Sequence, residues 1–244
     1  MLYLKTGRTP GDDLVVRGAR VLDPVEGVDA VLDLRVDKGV IGQLGTDVDA
    51  NGHRVVEGDG LVLAPAFVDS HVHLRVPGGE DEETIDSGTD AAAAGGYCAI
   101  LAMPNTDPVV DSAAVLGSLI EDAKAQASVP VGFLAAITRG QQGAELTEMA
   151  ELADQGAAGF TDDGRPVVAP GLMRRALQYH GITGRRLALH CEEPTLSKGG
   201  QMHEGAVSAE LGFAGYPSVA ESVMVERVLS LAAYVQAPLH LLHL

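Results

Sequence analysis

Phe67-Val68-Asp69-Ser70-His71-Val72-His73-Leu74-Arg75 closes an apolar run that opens at Leu61-Val62-Leu63, and the abrupt turn from apolar to polar residues marks a strand end. Side chains alternate faces along a strand, so His71 and His73 share one face and can grip one metal ion. A His-x-His pair also arises by chance in exposed strands, so its meaning depends on the rest of the chain.

From Pro65 onward, short apolar strands alternate with longer helical segments, the rhythm of parallel βαβ units. The strands read as Phe67 to His73, Cys98 to Met103, Val131 to Ala136, Ala158 to Thr161, Leu187 to His190 and Leu239 to His243. Helices are expected over Thr84 to Ala94, Ser112 to Ala127 and Glu145 to Asp154. A last one starts at Ser218 and Glu221, spaced as a capping box, and runs toward Pro238. Five of the six strands finish beside a residue able to bind metal or substrate: His73, Asn105, Asp163, His190 and His243. In a (β/α)8 TIM barrel those ends gather at one mouth, whereas an open doubly wound sheet concentrates its ligands at one switch point. The spread over five strands favours the barrel. Eight strands need two more units than these residues contain, so the expected fold is an α/β barrel incomplete after strand six.

Residues 14 to 66 show short strands and turn punctuation with no helical period, which predicts a small β domain; the alternative is an irregular N-terminal arm. The expected division is therefore 1–64 as a β-sandwich-like domain and 65–244 as the barrel. The chain has 244 residues, 46% hydrophobic and 21% charged, an ordinary globular balance. No apolar run reaches the roughly 20 residues that span a bilayer, and the N-terminus lacks the pattern of a signal peptide, so a cytoplasmic protein is expected. The net charge of −17 with no basic stripe argues against nucleic acid as a partner. Cys98 and Cys191 lie in or beside apolar runs and read as buried free thiols.

His71, His73, Asp163, His190 and His243 form a nitrogen and oxygen set suited to Zn²⁺ or a similar divalent ion. Five ligands exceed one tetrahedral catalytic site, and a carboxylate is able to bridge two ions, which suggests two metals activating water for attack on an amide-like carbon. On spacing alone Asp162 is as eligible as Asp163, and Thr161-Asp162-Asp163-Gly164 also reads as a plain turn. His190 also reads as a core histidine. His240 rivals His243, but the two lie on opposite faces of a strand.

The chain resembles the dihydroorotases of the cyclic amidohydrolase superfamily. The resemblance rests on Val68 to Arg75, Glu80 to Gly88 leading into Ala91 to Tyr97, Met103-Pro104-Asn105-Thr106, Phe160 to Gly164 and His190-Cys191-Glu192. It continues through Gly199-Gly200, His203-Glu204-Gly205, Pro217-Ser218 and Glu221-Ser222 to His243. It implies a β-sandwich domain joined to a metal-bearing barrel, with reversible hydrolysis of L-dihydroorotate to N-carbamoyl-L-aspartate in pyrimidine (UMP) biosynthesis. It also implies that Asp163, rather than Asp162, takes the bridging place filled by a carboxylated lysine in many relatives. His71 and His73 would then hold one zinc, His190 and His243 a second, while His73, Arg75 and Asn105 bind substrate. The family's general acid/base aspartate, at the end of strand eight, is expected beyond Leu244, and no catalytic residue of that kind is assigned within the chain.

The departures are Pro65-Ala66, where glycine usually follows proline, and Val76, where an acidic residue usually follows the arginine. Rival readings are a hydantoinase or allantoinase, which generally use lysine at the bridge, and a non-catalytic dihydroorotase-like scaffold of aspartate transcarbamoylase. The expected assembly is a homodimer or an association with aspartate transcarbamoylase.

Overall fold

The computed structural model describes residues 1–6 and 13–244, in two compact units, Thr6–Phe67 and Met1–Lys5 with Val68–Leu244. The division therefore falls after Phe67 rather than after residue 64, and the first five residues go with the second unit.

The first unit is a five-stranded sheet of β1 (Leu14–Asp23), β2 (Val28–Asp37), β3 (Val40–Gly45), β4 (Arg54–Glu57) and β5 (Val62–Leu63). β1 is central, antiparallel to β2 and parallel to β4 and β5. Among the short strands expected between residues 14 and 66, Gly18 is a turn residue that would separate residues 14–16 from 20–23. The structure instead has one strand with an irregularity between Val16 and Ala19, where Gly18 takes φ +67°. Asp33 stabilises that kink: it is buried, and its carboxylate accepts from the backbone N–H of Gly18 at 2.8 Å and of Val48 at 3.1 Å. Lys38 and Gly39, both at positive φ, make the two-residue turn between β2 and β3.

The second unit follows the expected βαβ order. Its main sheet runs β13-β10-β9-β8-β7-β6, built from β6 (Phe67–Val72), β7 (Tyr97–Ala102), β8 (Val131–Ala135), β9 (Gly159–Phe160), β10 (Leu187–Leu189) and β13 (Leu239–Leu241). The registers from β7 through β13 are parallel. The helices are α1 (Ile85–Ala94), α2 (Ala113–Gln126), α3 (Met149–Gln155), α4 (Pro170–Gln178), α5 (His180–Thr183) and α8 (Val219–Val235). A long segment between β10 and α8 carries α6 (Pro194–Ser197), α7 (Ala206–Leu211) and a two-stranded ribbon of β11 (Met202–His203) and β12 (Gly215–Tyr216).

β8 is buried along its whole length because both faces are covered, as a parallel strand requires. Val131, Phe133 and Ala135 enter the large cluster shared with the helices. Leu134, pointing the other way, packs with Met103, Ala188 and Leu242 on the opposite face. α2 buries Leu116, Leu119, Ile120 and Ala123, the spacing of one helical stripe. Each fully buried leucine contributes about 1.5 to 3 kcal/mol by leaving water. The N-terminus joins this unit as an antiparallel bridge: Tyr3 exchanges two backbone hydrogen bonds of 2.7 Å with Val131.

Three expectations are corrected. The Ser218–Glu221 capping box does not form: Ser218 already has helical backbone angles, and its hydroxyl makes no cap bond. The box occurs instead at Thr84, where Ser87 N–H donates to the Thr84 hydroxyl and Thr84 N–H to the Ser87 hydroxyl. The helix expected from Glu145 begins only at Met149, because Leu146 bridges to Thr138 and the Thr147 hydroxyl donates to Ala136 carbonyl. Neither cysteine forms a disulfide, but only Cys191 is buried; Cys98 is exposed on β7. Among the described residues, no helix is long and apolar enough to cross a membrane.

Candidate metal centre

Every residue of the candidate centre leaves a parallel strand at its C-terminal end. His71 lies in β6 and His73 one residue past it, Asn105 follows β7, Asp163 follows β9, His190 follows β10 and His243 follows β13. The shared strand direction brings them to one mouth. His243 enters by a different route from the one strand alternation suggests: it sits beyond β13 with φ 29°, so a turn of the backbone aims it.

Asp163 is the hub. Its Oδ2 lies 3.4 Å from His71 Nε2 and 3.6 Å from His73 Nε2. Its Oδ1 lies 3.1 Å from His243 Nε2 and 4.0 Å from His190 Nδ1. Within the two pairs, the Nε2 atoms of His71 and His73 are 3.3 Å apart, and His190 Nδ1 is 3.1 Å from His243 Nε2. One carboxylate thus turns one oxygen to each pair of imidazoles.

The neighbouring Asp162 has a different task. It is buried and accepts hydrogen bonds from Ile137 N–H at 2.8 Å, Thr138 N–H at 3.1 Å and the Thr138 hydroxyl. Burial pushes its carboxyl up to about 6, against the pull of those donors. Anchoring Asp162 to the end of β8 leaves Asp163 directed into the mouth, and the buried Gln141 amide reaches the Asp163 carbonyl at 3.4 Å.

Two ring nitrogens turned away from Asp163 have partners. His73 Nδ1 donates to Asn105 Oδ1 at 2.9 Å, leaving Nε2 with its lone pair toward Asp163. His190 Nε2 donates to Glu192 Oε2 at 3.0 Å. Hydrogen bonds from Ser197, then from His190 and Tyr216, hold the Glu192 carboxyl below the usual range despite partial burial. Glu192 was not singled out as a site residue from sequence; its signal is the His190-Cys191-Glu192 spacing, two residues apart as in His71-Val72-His73. Arg75, at φ +60° and half-exposed, pairs through Nε with Glu82 Oε2 at 3.2 Å.

The donor set fits a divalent cation. Tetrahedral zinc with Zn–N near 2.0 to 2.1 Å places two nitrogen ligands about 3.3 Å apart, and the two His–His spacings of 3.3 and 3.1 Å match that edge. Without a cation the arrangement is unfavourable: if His71 carries its proton on Nδ1, two bare nitrogens face each other at 3.3 Å; if on Nε2, a bare buried Nδ1 has no partner. Burial also lowers the His71 pKa, favouring the neutral ring that metals bind. Among the described residues, ligand atoms of His71, Asp163 and His243 all lie within 4.8 Å of one another.

Residues 60–244 match the family model described as dihydro-orotase-like. The chain is similar to the dihydroorotase of Pelotomaculum thermopropionicum, at 45% identity over 94% of this chain and 54% of that protein. It is likewise similar to the dihydroorotase of Geobacter metallireducens, at 44% identity over 95% of this chain and 55% of that one. The chain thus spans about half the length of the curated relatives it matches. Among solved structures, the L-hydantoinase (dihydropyrimidinase) of Arthrobacter aurescens superposes with a TM-score of 0.76 at 21% identity, covering 96% of this chain and 53% of that one. The dihydropyrimidinase of Brevibacillus agri gives 0.73 at 20% identity, covering 95% of this chain and 52% of that one. At such identities the likeness speaks for the fold alone: a β-sheet domain with six strands of an α/β barrel.

Proposed function

The chain belongs to the dihydro-orotase-like family, and from that premise we propose that it supplies the N-terminal domain and six barrel strands of a zinc-dependent dihydroorotase, interconverting L-dihydroorotate and N-carbamoyl-L-aspartate. The observation that carries this reading is the division of Asp163, with one carboxylate oxygen toward His71 and His73 and the other toward His190 and His243. Two ions held by these pairs would lower the pKa of a water and polarise the ring carbonyl it attacks.

The chain's own residues orient the substrate. Asn105 spends its oxygen on His73, so its side-chain N–H₂ is left to donate to a substrate carboxylate beside the metal ligands. Arg75 follows His73 by two residues, and its guanidinium is planar and able to engage both carboxylate oxygens. Its pairing with Glu82 is a half-exposed contact of low strength, which a substrate carboxylate can replace.

The test is turnover by the complete polypeptide containing this chain, loaded with zinc. Hydrolysis of L-dihydroorotate that is lost in Asp163→Ala supports the reading. Preferential turnover of uncharged hydantoins, or turnover of dihydroorotate unaffected by Asp163→Ala, overturns it.

A further inference from the structure

His190 presents its two ring nitrogens to different neighbours. Nδ1 faces His243 Nε2 at 3.1 Å and Asp163 Oδ1 at 4.0 Å, while Nε2 faces Glu192 Oε2 at 3.0 Å. An ionised carboxylate has no proton to give, so the proton of the His190–Glu192 bond resides on Nε2. In a neutral imidazole that leaves the lone pair on Nδ1, the nitrogen turned into the metal centre.

Glu192 is itself held. Its Oε1 accepts from the Ser197 hydroxyl at the end of α6, and Tyr216 also hydrogen-bonds to its carboxylate. Tyr216 belongs to the β11–β12 ribbon, in register opposite His203. Gly200 packs so tightly against it that an added Cβ would lie 2.9 Å from Tyr216 Cβ and 3.0 Å from its Cα. The segment between β10 and α8 thus carries two hydroxyl donors whose common acceptor is the carboxylate behind His190.

We propose that Glu192, clamped by Ser197 and Tyr216, is the positioning residue that fixes His190 in its Nε2–H tautomer and presents Nδ1 as a metal ligand. The hold of the centre on metal at the His190 and His243 side then depends on how the 192–216 segment is seated. This proposal rests on the reading of the cluster as a metal centre. Outer partners of this kind change metal affinity by 10 to 100-fold in characterised sites.

The experiment uses the complete polypeptide and two readouts. Imidazole ¹⁵N NMR of metal-free protein identifies the protonated ring nitrogen of His190, and competition with a chelator measures zinc affinity. The expected tautomer is Nε2–H in the wild type and in Glu192→Gln, whose amide oxygen still accepts. Glu192→Ala is expected to lose that single tautomer and to bind zinc about 10 to 100-fold more weakly. Tyr216→Phe and Ser197→Ala, which each remove one hydroxyl, should give smaller losses in the same direction, and they serve if Glu192→Ala does not fold. A wild type protonated on Nδ1 overturns the proposal, as does a Glu192→Ala protein with unchanged tautomer and affinity. A wild type that shows the Nε2–H tautomer but binds no zinc defeats the metal-centre reading instead, and with it the ligand role proposed for Nδ1.

Discussion

Asp163 and His243, eighty residues apart in the chain, meet at 3.1 Å between Oδ1 and Nε2. Adjacent Asp162 points elsewhere, into the buried end of β8. The two aspartates should therefore fail differently on substitution. Asp162→Ala strands three buried donors and is expected to destabilise the fold by about 2 to 4 kcal/mol. Asp163→Asn should leave urea stability of the metal-free protein nearly unchanged while weakening metal binding. Urea unfolding curves beside metal titrations check both; equal stability losses at the two positions would contradict the division of labour.

Arg75 sits two residues beyond His73, with its guanidinium paired to the exposed Glu82. Under the proposed function, Arg75→Lys in the complete polypeptide should cost roughly 2 to 4 kcal/mol of transition-state stabilisation in kcat/KM for dihydroorotate, through loss of a bidentate charge-assisted contact. Metal content should stay normal. Steady-state kinetics with metal analysis measures this, and unchanged kcat/KM would remove Arg75 from the substrate site.

Burial lowers the His71 pKa below its ordinary 6.5, outweighing the attraction of Asp163. The folded metal-free chain then binds fewer protons than the unfolded chain between the lowered value and 6.5. Stability contributed by this group is present above 6.5 and is lost as pH falls through the folded-state value. His71→Gln should flatten the acid side of the stability curve just below pH 6.5. Denaturation midpoints from pH 5 to 8 test it; identical slopes in the two proteins would contradict it.

The helix caps offer a prediction independent of the metal. Thr84 caps α1 reciprocally with Ser87, so Thr84→Ala should cost about 1 kcal/mol. Ser218 makes no cap bond, so Ser218→Ala should fall within about 0.5 kcal/mol of wild type. Thermal melts of both variants distinguish the two helix starts.

Where the sequence succeeded and where it misled follows from what each signal encodes. The barrel rhythm was legible because the strands are apolar runs, β8 to β10 being buried on both faces, and the ligands were legible because each closes such a run in a polar residue. Ser218 and Glu221 have the spacing of a capping box, but spacing does not encode the helical backbone angles that deny Ser218 its cap. α4 went unnamed because Pro170 opens it without a capping side chain. Spacing alone leaves Asp162 and Asp163 equal and the resemblance favours Asp163; the physical reason, the tertiary bonds that Ile137 and Thr138 give to Asp162, is contained in no local pattern. Glu192 lay in plain sight two residues past His190, yet its partners Ser197 and Tyr216 come from a segment whose folding is not periodic.

The central claim is that His71, His73, Asp163, His190 and His243 form one centre bridged by Asp163. Metal analysis of the complete polypeptide, purified with zinc present and dialysed free of excess, tests it most directly. The predicted result is two zinc equivalents in the wild type and less than one in Asp163→Ala. Two equivalents retained by Asp163→Ala, or none in the wild type, would contradict it.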